Sequence, residues 1–454
     1  MTGPLETLLQ QHLPAGSIAR RDSIPRLVDA ILSAAEVARA SDIHLRPEAD
    51  GTDLSWRVDG LLQPVTRLSP DVAAGVVTRL KVLAGLLTYR TDVPQEGRLQ
   101  RRTPAPATAG TSASTHSSPA GPSAAAAGHG ETRLSTFPTV FGEKAVIRLM
   151  QSDGQRERIG QLGLTDLQLG ILEQALLETG GAIVFCGPAG SGKTTTGYAC
   201  LREILAASRG TRSIASLEDP VEVVIPGVAQ SQVRPAAGFD LAAAVRSVLR
   251  QDPDVLAVGE IRDAEVASTV FQASLTGHLV VTTLHAGSTR AAIDRLLDLG
   301  TGPPVLRAGL RLLVCQRLLR RLCRCAPPVQ HDRDLCGLPV STARVAAGCE
   351  DCAGTGYSGR LMIAELARLE VSPGLSSGPQ SGSSSALVAT VLEGGDLWSR
   401  ALAAVEQQLV SPQEVIRVLG LPVRESAAER REVSPPGPAE ANLAAGTPIV
   451  CCDP

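Results

Sequence analysis

Residues 187–194 read Gly-Pro-Ala-Gly-Ser-Gly-Lys-Thr, which fits the pattern G-x-x-x-x-G-K-[ST]. In such a loop the backbone N–H groups surround phosphate oxygens, the lysine reaches the terminal phosphates and the last hydroxyl binds Mg²⁺. The alternative is an ordinary glycine-rich turn, but an apolar strand pattern at 182–186 and a helix pattern at 195–207 flank the loop. The expected nucleotide-binding residues are Gly187, Pro188, Ala189, Gly190, Ser191, Gly192, Lys193, Thr194 and Thr195.

Three further polar residues each follow a short apolar segment with a strand pattern. Glu218 follows 211–217, Glu260 follows 254–258 after one glycine, and His285 follows 279–284. Because ligands of an open α/β sheet bind beyond the carboxyl ends of its strands, these residues and Lys193 are expected to meet around one phosphate tail. Taken singly, each carboxylate would be better explained as a helix cap or a surface charge, so the prediction rests on their convergence.

The charges of these side chains suggest their roles. Glu218 is expected to orient an attacking water beside the terminal phosphate. Glu260 and the Thr194 hydroxyl are expected to support Mg²⁺, and His285 to sense the terminal phosphate by hydrogen bonding. Two neighbours suit structural roles as well: Asp219, which precedes a proline and can initiate a turn, and the loop residue His278.

The elements that must position these residues alternate between strand and helix patterns, which predicts an α/β fold with a parallel sheet. Upstream we expect a helix at 25–40, a strand that ends at the turn Asp59-Gly60, a helix at 76–86, and a hairpin formed by 98–100 and 133–135. Ser411 and Pro412 predict the start of a helix that runs to Leu419.

Composition shifts divide the chain into eight expected segments. They are a short N-terminal segment (1–24), an α+β domain (25–150) with a disordered Pro-, Ala- and Ser-rich insertion (102–130), a linker (151–160), the phosphate-loop core (161–310), a cysteine-rich subdomain (311–370), a flexible Gly/Ser stretch (371–390), C-terminal helices (391–423) and a disordered tail (424–454).

Composition also excludes several classes of function. The 454 residues are 43% apolar and 20% charged with a net charge of −3, a globular balance with no basic field for nucleic acid. Aromatic residues make up only 2%, too few for base-stacking platforms. No apolar run reaches the roughly 18–20 residues that cross a bilayer, and no signal-peptide pattern opens the chain. We therefore expect no nucleic-acid partner, no transmembrane segment, and a cytoplasmic or peripheral cytoplasmic-face location.

Six of the ten cysteines fall within one segment, from Cys315 to Cys352. In a reducing cytosol this clustering suggests a metal site rather than disulfides. Cys349-x-x-Cys352 has the spacing of a thiolate half-site for Zn²⁺. The alternative is a set of free thiols.

Several sequence boxes resemble those of the secretion and pilus-assembly ATPases, the hexameric motors of type II secretion and type IV pili. The resemblance covers most of residues 30–370, and the box Gly259-Glu260-Ile261-Arg262-Asp263 is highly specific. The matching boxes lie, in chain order, at 40–47, 57–60, 94–98, 135–139, 142–149, 187–194, 218–222, 249–254, 258–263, 276–285, 316–318 and 354–360.

The resemblance implies a RecA-like core preceded by a PAS-like α+β domain, ATP as the nucleotide, a homohexamer, and platform proteins of the inner membrane as partners. It also implies that Glu218 is the catalytic base and that Glu260 supports Mg²⁺. Three arginines of the N-terminal domain, Arg98, Arg133 and Arg148, would approach the phosphates as the domains close. Without this resemblance they are surface strand charges. Two alternatives stay open: a related motor for retraction, DNA uptake or conjugation, and a nucleotide-gated scaffold with little hydrolysis.

The resemblance extends to the cysteines. Members of the secretion and extension branch carry a second C-x-x-C upstream, where this chain has Cys323-Arg324-Cys325, one residue short. It thus implies a structural Zn²⁺ site formed by Cys323, Cys325, Cys349 and Cys352, with Cys336 as a possible substitute ligand.

Overall fold

The computed structural model describes residues 3–13, 23–99, 132–149, 158–234, 237–371, 387–392 and 395–421. The expected insertion at 102–130 and the expected tail at 424–454 therefore lie outside the described residues, as does most of the expected linker. Among the described residues no helix is long and apolar enough to cross a membrane.

The N-terminal part is a six-stranded antiparallel sheet with helices packed on it. Its elements in chain order are α1 (Pro4–Gln11), α2 (Ile24–Val37), β1 (Ala40–Glu48), β2 (Gly51–Val58), β3 (Leu61–Leu68), α3 (Pro70–Leu83), β4 (Gln95–Arg98), β5 (Arg133–Thr139) and β6 (Gly142–Arg148). The strand order is β3-β2-β1-β6-β5-β4. Leu54 and Trp56 alternate with more exposed residues along β2 and, together with Leu27 and Ile31 of α2, form the core of this part.

The expected hairpin of this part is confirmed, because Arg98 of β4 pairs with Arg133 of β5. The turn Asp59-Gly60 also joins β2 to β3 as expected, with positive φ angles of 48° and 85°. The expected start of the helix at 76 is wrong. Helix α3 begins six residues earlier, because Pro70 fits the first helical position and Ser69 precedes it as the N-cap residue.

The larger part is an eight-stranded sheet with helices on both faces. Its elements are α4 (Asp166–Leu177), β7 (Gly181–Cys186), α5 (Lys193–Ser208), β8 (Ile214–Glu218), β9 (Ala229–Gln232), α6 (Leu241–Val248), β10 (Val255–Val258), α7 (Ala264–Leu275), β11 (Leu279–Leu284), α8 (Thr289–Asp298), α9 (Pro303–Gly309), β12 (Leu310–Leu322), β13 (Tyr357–Val371), β14 (Leu387–Val391), α10 (Leu397–Glu406) and α11 (Pro412–Leu419).

The strands of this sheet follow the order β14-β13-β12-β7-β11-β10-β8-β9. In this order the six strands β12, β7, β11, β10, β8 and β9 run parallel to one another. β13 and β14 are added antiparallel at the β12 edge. Every residue of β7 is buried, as expected for a strand covered on both faces. The predicted α/β fold with a parallel sheet is confirmed. Sequence reasoning did not anticipate that β12 and β13, which bound the expected cysteine-rich segment, extend this sheet.

Candidate active site

The loop between β7 and α5 has a backbone that requires glycine. Gly187, Gly190 and Gly192 have φ angles of 152°, 74° and 90°. A Cβ atom on Gly187 would lie 2.4 Å from the Ser191 hydroxyl oxygen and 2.7 Å from the carbonyl oxygen of Gln316. The Gln316 amide in turn donates to the carbonyl of Ser191 over 2.8 Å. The loop is therefore shaped partly by β12, its neighbour in the sheet.

Lys193, the first residue of α5, points back across this loop. Its Nζ donates to the carbonyl oxygens of Gly187 and Pro188 over 2.8 and 2.9 Å. Burial lowers the pKa of Lys193, and the nearby negative charge of Glu260 opposes that shift. Helix α5 begins here, so its first N–H groups and the positive end of its dipole face the same place, which suits an anionic ligand.

Glu218 ends β8 and is held by three donors. Its Oε1 accepts hydrogen bonds from the Ser216 hydroxyl over 2.7 Å and from the Gln230 amide over 2.9 Å. Its Oε2 accepts a hydrogen bond from the Tyr198 hydroxyl of α5. Only 7% of the residue is exposed. The carboxylate is thus fixed at the carboxyl end of the sheet in one orientation.

The β8 and β10 ends are in register, and the Gly259 N–H donates to the Leu217 carbonyl over 2.9 Å, so Gly259 lies beside Glu218 and Glu260 follows it at the same edge of the sheet. The Glu260 side chain is 24% exposed and has two nitrogen-bearing neighbours, one histidine and one arginine. Glu260 Oε1 lies 3.4 Å from His285 Nε2, and its Oε2 lies 3.6 Å from Arg262 Nε. Arg262 also donates to Asp219 over 3.3 Å. Asp219 thus takes part in an ion pair at the rim.

Lys193, Thr194, Glu218, Glu260 and His285 line one cleft of about 430 Å³ at the carboxyl ends of the parallel strands. The structure therefore brings together the residues that strand endings and the glycine loop singled out. His278 does not join them: its Nδ1 lies 3.1 Å from the Ala273 carbonyl oxygen at the end of α7, which favours its structural alternative.

The three arginines of the N-terminal sheet form a row across adjacent strands. Arg98 pairs with Arg133, and Arg133 pairs with Arg148, in the registers of β4, β5 and β6. Arg148 Nε also lies 3.2 Å from Asp42 Oδ1. Burial and the charge of Glu218 raise the pKa of Glu222, while Arg148 and Arg133 act to lower it. Glu222 lines the cleft, so two of these arginines lie close enough to act electrostatically on one of its walls.

Four cysteines meet in the segment that connects β12 to β13. The Sγ atoms of Cys323, Cys325, Cys349 and Cys352 all lie within 4.8 Å of one another. The pairs Cys323–Cys349, Cys325–Cys352 and Cys349–Cys352 are separated by 3.8, 3.9 and 3.8 Å. Sulfurs bound tetrahedrally at about 2.3 Å from Zn²⁺ are roughly 3.8 Å apart, so the four thiols fit that ion.

Backbone donors support the same cluster. Burial alone would raise the pKa of the Cys352 thiol, but hydrogen bonds from the N–H groups of Cys349 and Gly356, at 3.1 and 3.2 Å, together with hydrogen bonds from the Cys349 and Cys325 thiols, outweigh it and lower the pKa to about 7. The structure does not bring Cys336 to this cluster. Cys336 follows a short 3₁₀ turn, and its thiol donates to the Asp334 carbonyl over 3.7 Å.

Sequence reasoning missed the donors around Glu218. Ser216 was detectable, because residues two apart on a strand share a face. Tyr198 lies five positions after Lys193 on α5, where helical spacing alone does not mark it. Gln230 comes from a short edge strand that showed no pattern of its own.

The fold and the cleft define a phosphate-loop protein with a RecA-like core. The model of the family "Type II/IV secretion system protein" matches residues 18–110 and 126–417. The chain belongs to this family, which confirms the resemblance found in the sequence.

Two curated relatives illustrate the family. A putative type II secretion system protein E of Escherichia coli K12 is 36% identical over 369 residues, 79% of this chain and 70% of that protein. The type IV pilus assembly ATPase PilB of Thermus thermophilus is 35% identical over 366 residues, 79% of this chain but only 38% of that protein. The DotB ATPase of Legionella pneumophila, 22% identical with a TM-score of 0.50 over 65% of this chain and 77% of that chain, shares the fold.

Proposed function

We propose that this protein is a cytoplasmic, hexameric ATPase that drives assembly of a type II secretion pseudopilus or a type IV pilus. The observation that carries the proposal is the cleft in which Lys193, Thr194, Glu218, Glu260 and His285 meet, contributed by different strand ends of one parallel sheet. A basic group, two carboxylates and a helix N-terminus around one space suit the binding and hydrolysis of a nucleoside triphosphate.

Each residue of the cleft has a defined task in this proposal. Lys193 binds the terminal phosphates, and Glu218, already fixed by its donors, orients the attacking water and accepts its proton. Thr194 and Glu260 would hold Mg²⁺, since hydroxyl and carboxylate oxygens suit that ion, and the ion would neutralise phosphate charge. His285, 3.4 Å from Glu260, is placed to respond to the terminal phosphate.

The arginine row supplies the mechanical part of the proposal. Arg98, Arg133 and Arg148 belong to the N-terminal sheet, whereas the cleft belongs to the larger sheet. Their charges would stabilise the phosphates when the two parts close, within one subunit or between neighbours in a ring. Closure driven by ATP would then be transmitted to the platform proteins of the inner membrane, on whose cytoplasmic face the ring would sit.

The cysteine cluster has a structural role in the proposal. The four thiolates would hold Zn²⁺ with no open coordination position, so the ion would stabilise the loops at 323–356 rather than take part in catalysis.

The test is steady-state ATP turnover by the purified full chain with Mg²⁺. Lys193→Ala should lose nucleotide binding and turnover together. Glu218→Gln should retain binding but lose turnover by at least about 100-fold. Glu173→Gln, on the exposed face of α4, is the matched control and should behave as wild type.

Three further results would decide between this function and its alternatives. Light scattering with bound nucleotide should give the mass of six 47.1 kDa chains. If the wild-type chain bound ATP but released no phosphate, even with its membrane partner, the scaffold alternative would replace the motor. If deleting the gene for this chain in its own organism abolished pilus retraction or DNA uptake but left secretion and pilus extension intact, a motor of that kind would be favoured.

A further inference from the structure

Tyr198 links the phosphate-binding helix α5 to Glu218, the proposed catalytic base. It is on α5, the helix that begins with Lys193 and Thr194, and only 8% of it is exposed. Its hydroxyl donates to Glu218 Oε2 and accepts a hydrogen bond from the backbone N–H of Glu222 over 3.1 Å. One phenol thus joins the phosphate-binding helix, the carboxylate at the end of β8 and the segment that follows it.

The donors to Glu218 are divided unequally between its two oxygens. Ser216 and Gln230 both donate to Oε1. Within the part of the chain that the structure describes, the hydrogen bond to Oε2 comes from Tyr198. Without that hydroxyl, Oε1 would stay anchored while Oε2 lost its partner, and the plane of the carboxylate would be free to rotate.

The phenol is suited to act as a lasting donor. Burial, the hydrogen bond to Glu218 and the negative charge of that carboxylate together raise the pKa of Tyr198 well above its usual range. The hydroxyl therefore stays protonated throughout the neutral range.

We propose that Tyr198 is a positioning residue for Glu218, which orients the carboxylate toward the attacking water and couples that orientation to the phosphate-binding helix. This role rests on the proposed ATPase function. A general base must be aligned with the proton that it accepts, and small misplacements are costly in rate. A shift of α5 caused by phosphate binding at Lys193 or Thr194 would be transmitted to Glu218 through Tyr198 on the same helix.

The experiment compares Tyr198→Phe with wild type in steady-state turnover and in binding of ADP. The substitution removes one oxygen and keeps the ring, so kcat should fall roughly 10- to 100-fold while KM for ATP and the Kd for ADP change less than about twofold. Tyr89→Phe is the matched control, since Tyr89 is 80% exposed in the N-terminal part, and it should leave both constants unchanged.

A double-mutant cycle shows whether Tyr198 acts through Glu218. In a Glu218→Gln background, Tyr198→Phe should cause no further loss of kcat, because the group that it positions is already disabled. An equal loss in both backgrounds would overturn the role. So would an unchanged kcat, or loss of ADP binding together with turnover, which would mark Tyr198 as a support of the whole nucleotide site. A wild-type chain that binds ADP without hydrolysing ATP would overturn the proposed function as well, whereas the other outcomes leave it intact.

Discussion

The Asp59 carboxylate accepts a hydrogen bond from the backbone N–H of Gly359, with 3.1 Å between Oδ2 and the nitrogen. Its Oδ1 lies 3.9 Å from Arg360 Nε. Asp59 is in the turn between β2 and β3, and Gly359 is near the start of β13, so this contact joins the N-terminal sheet to the larger one. Arg360 also lines a smaller cavity, of about 280 Å³, beside Thr194. The position of the N-terminal sheet is thus linked to the phosphate-binding loop.

This contact predicts a local effect of Asp59→Gly. Glycine rather than alanine is chosen as the replacement, because the φ of 48° would strain an alanine. Loss of the acceptor should increase hydrogen exchange at the Gly359 amide by roughly tenfold, the equivalent of about 1.4 kcal/mol, measured by NMR or mass spectrometry. Asp53→Asn, which alters ion pairs within the N-terminal sheet only, should leave Gly359 unchanged. Unaltered protection of Gly359 in Asp59→Gly would show that the contact does not hold the two sheets together.

The conformation of the glycine loop predicts the effect of a single methyl group. In Gly187→Ala the new Cβ would contact the backbone of Gln316 at 2.7 Å, so the loop must shift or carry roughly 1–3 kcal/mol of strain. ADP binding, measured by calorimetry, should weaken by about 5- to 100-fold. Gly170→Ala is the control: its Cβ would meet no atom within 4 Å, and helix α4 should become more stable without a change in binding. Normal affinity in Gly187→Ala would contradict the role assigned to the loop geometry.

The cysteine cluster predicts a specific metal content. Purified protein should contain one zinc ion per chain by elemental analysis, and Cys352→Ser should lower zinc affinity at least tenfold, the order seen when a metal site is weakened. A chelator should lower the melting temperature of the wild-type chain, and added zinc should restore it. Cys336→Ser should retain zinc, because that thiol is turned toward Asp334. Equal zinc loss in the Cys336 and Cys352 variants would refute the four-cysteine assignment.

Local patterns in the sequence predicted those parts of the fold that local physics determines. The strand at 279–284 and the helix from Pro412 to Leu419 have the predicted bounds, because a continuous apolar run, an N-cap serine and a first-turn proline act within a few residues. β12 was missed, since its pairing with β13 joins residues such as Leu313 and Ala367, far apart in sequence. The same applies to the cleft: Glu218 could be predicted from a strand ending, whereas Tyr198 and Gln230 reach it only through the tertiary fold.

Glu414 of α11 shows how the C-terminal helices are fixed to the larger sheet. It is fully buried, and its carboxylate accepts hydrogen bonds from Arg320 of β12, through both the backbone N–H and the guanidinium, and from Arg417. The Arg320 guanidinium also lies 3.7 Å above the centre of the Tyr357 ring. Glu414→Gln would leave buried positive charge without its partner, so we expect a loss of about 3 kcal/mol in the free energy of unfolding at neutral pH.

The pH dependence of this loss identifies its cause. Burial alone would raise the pKa of Glu414, but hydrogen bonds from Arg417 and Arg320 outweigh it, and the pKa in the folded state lies below its usual value. The stabilisation by the carboxylate is therefore complete above about pH 4.3, the value for an unfolded glutamate, and is lost as the pH falls through the folded-state pKa. In urea unfolding, the difference between wild type and Glu414→Gln should be constant near neutrality and should shrink on acidification. Glu406→Gln, an exposed position at the end of α10, should show no such difference at any pH. A wild-type advantage that persisted unchanged at low pH would show that packing, rather than the buried charge pair, fixes α11 to the sheet.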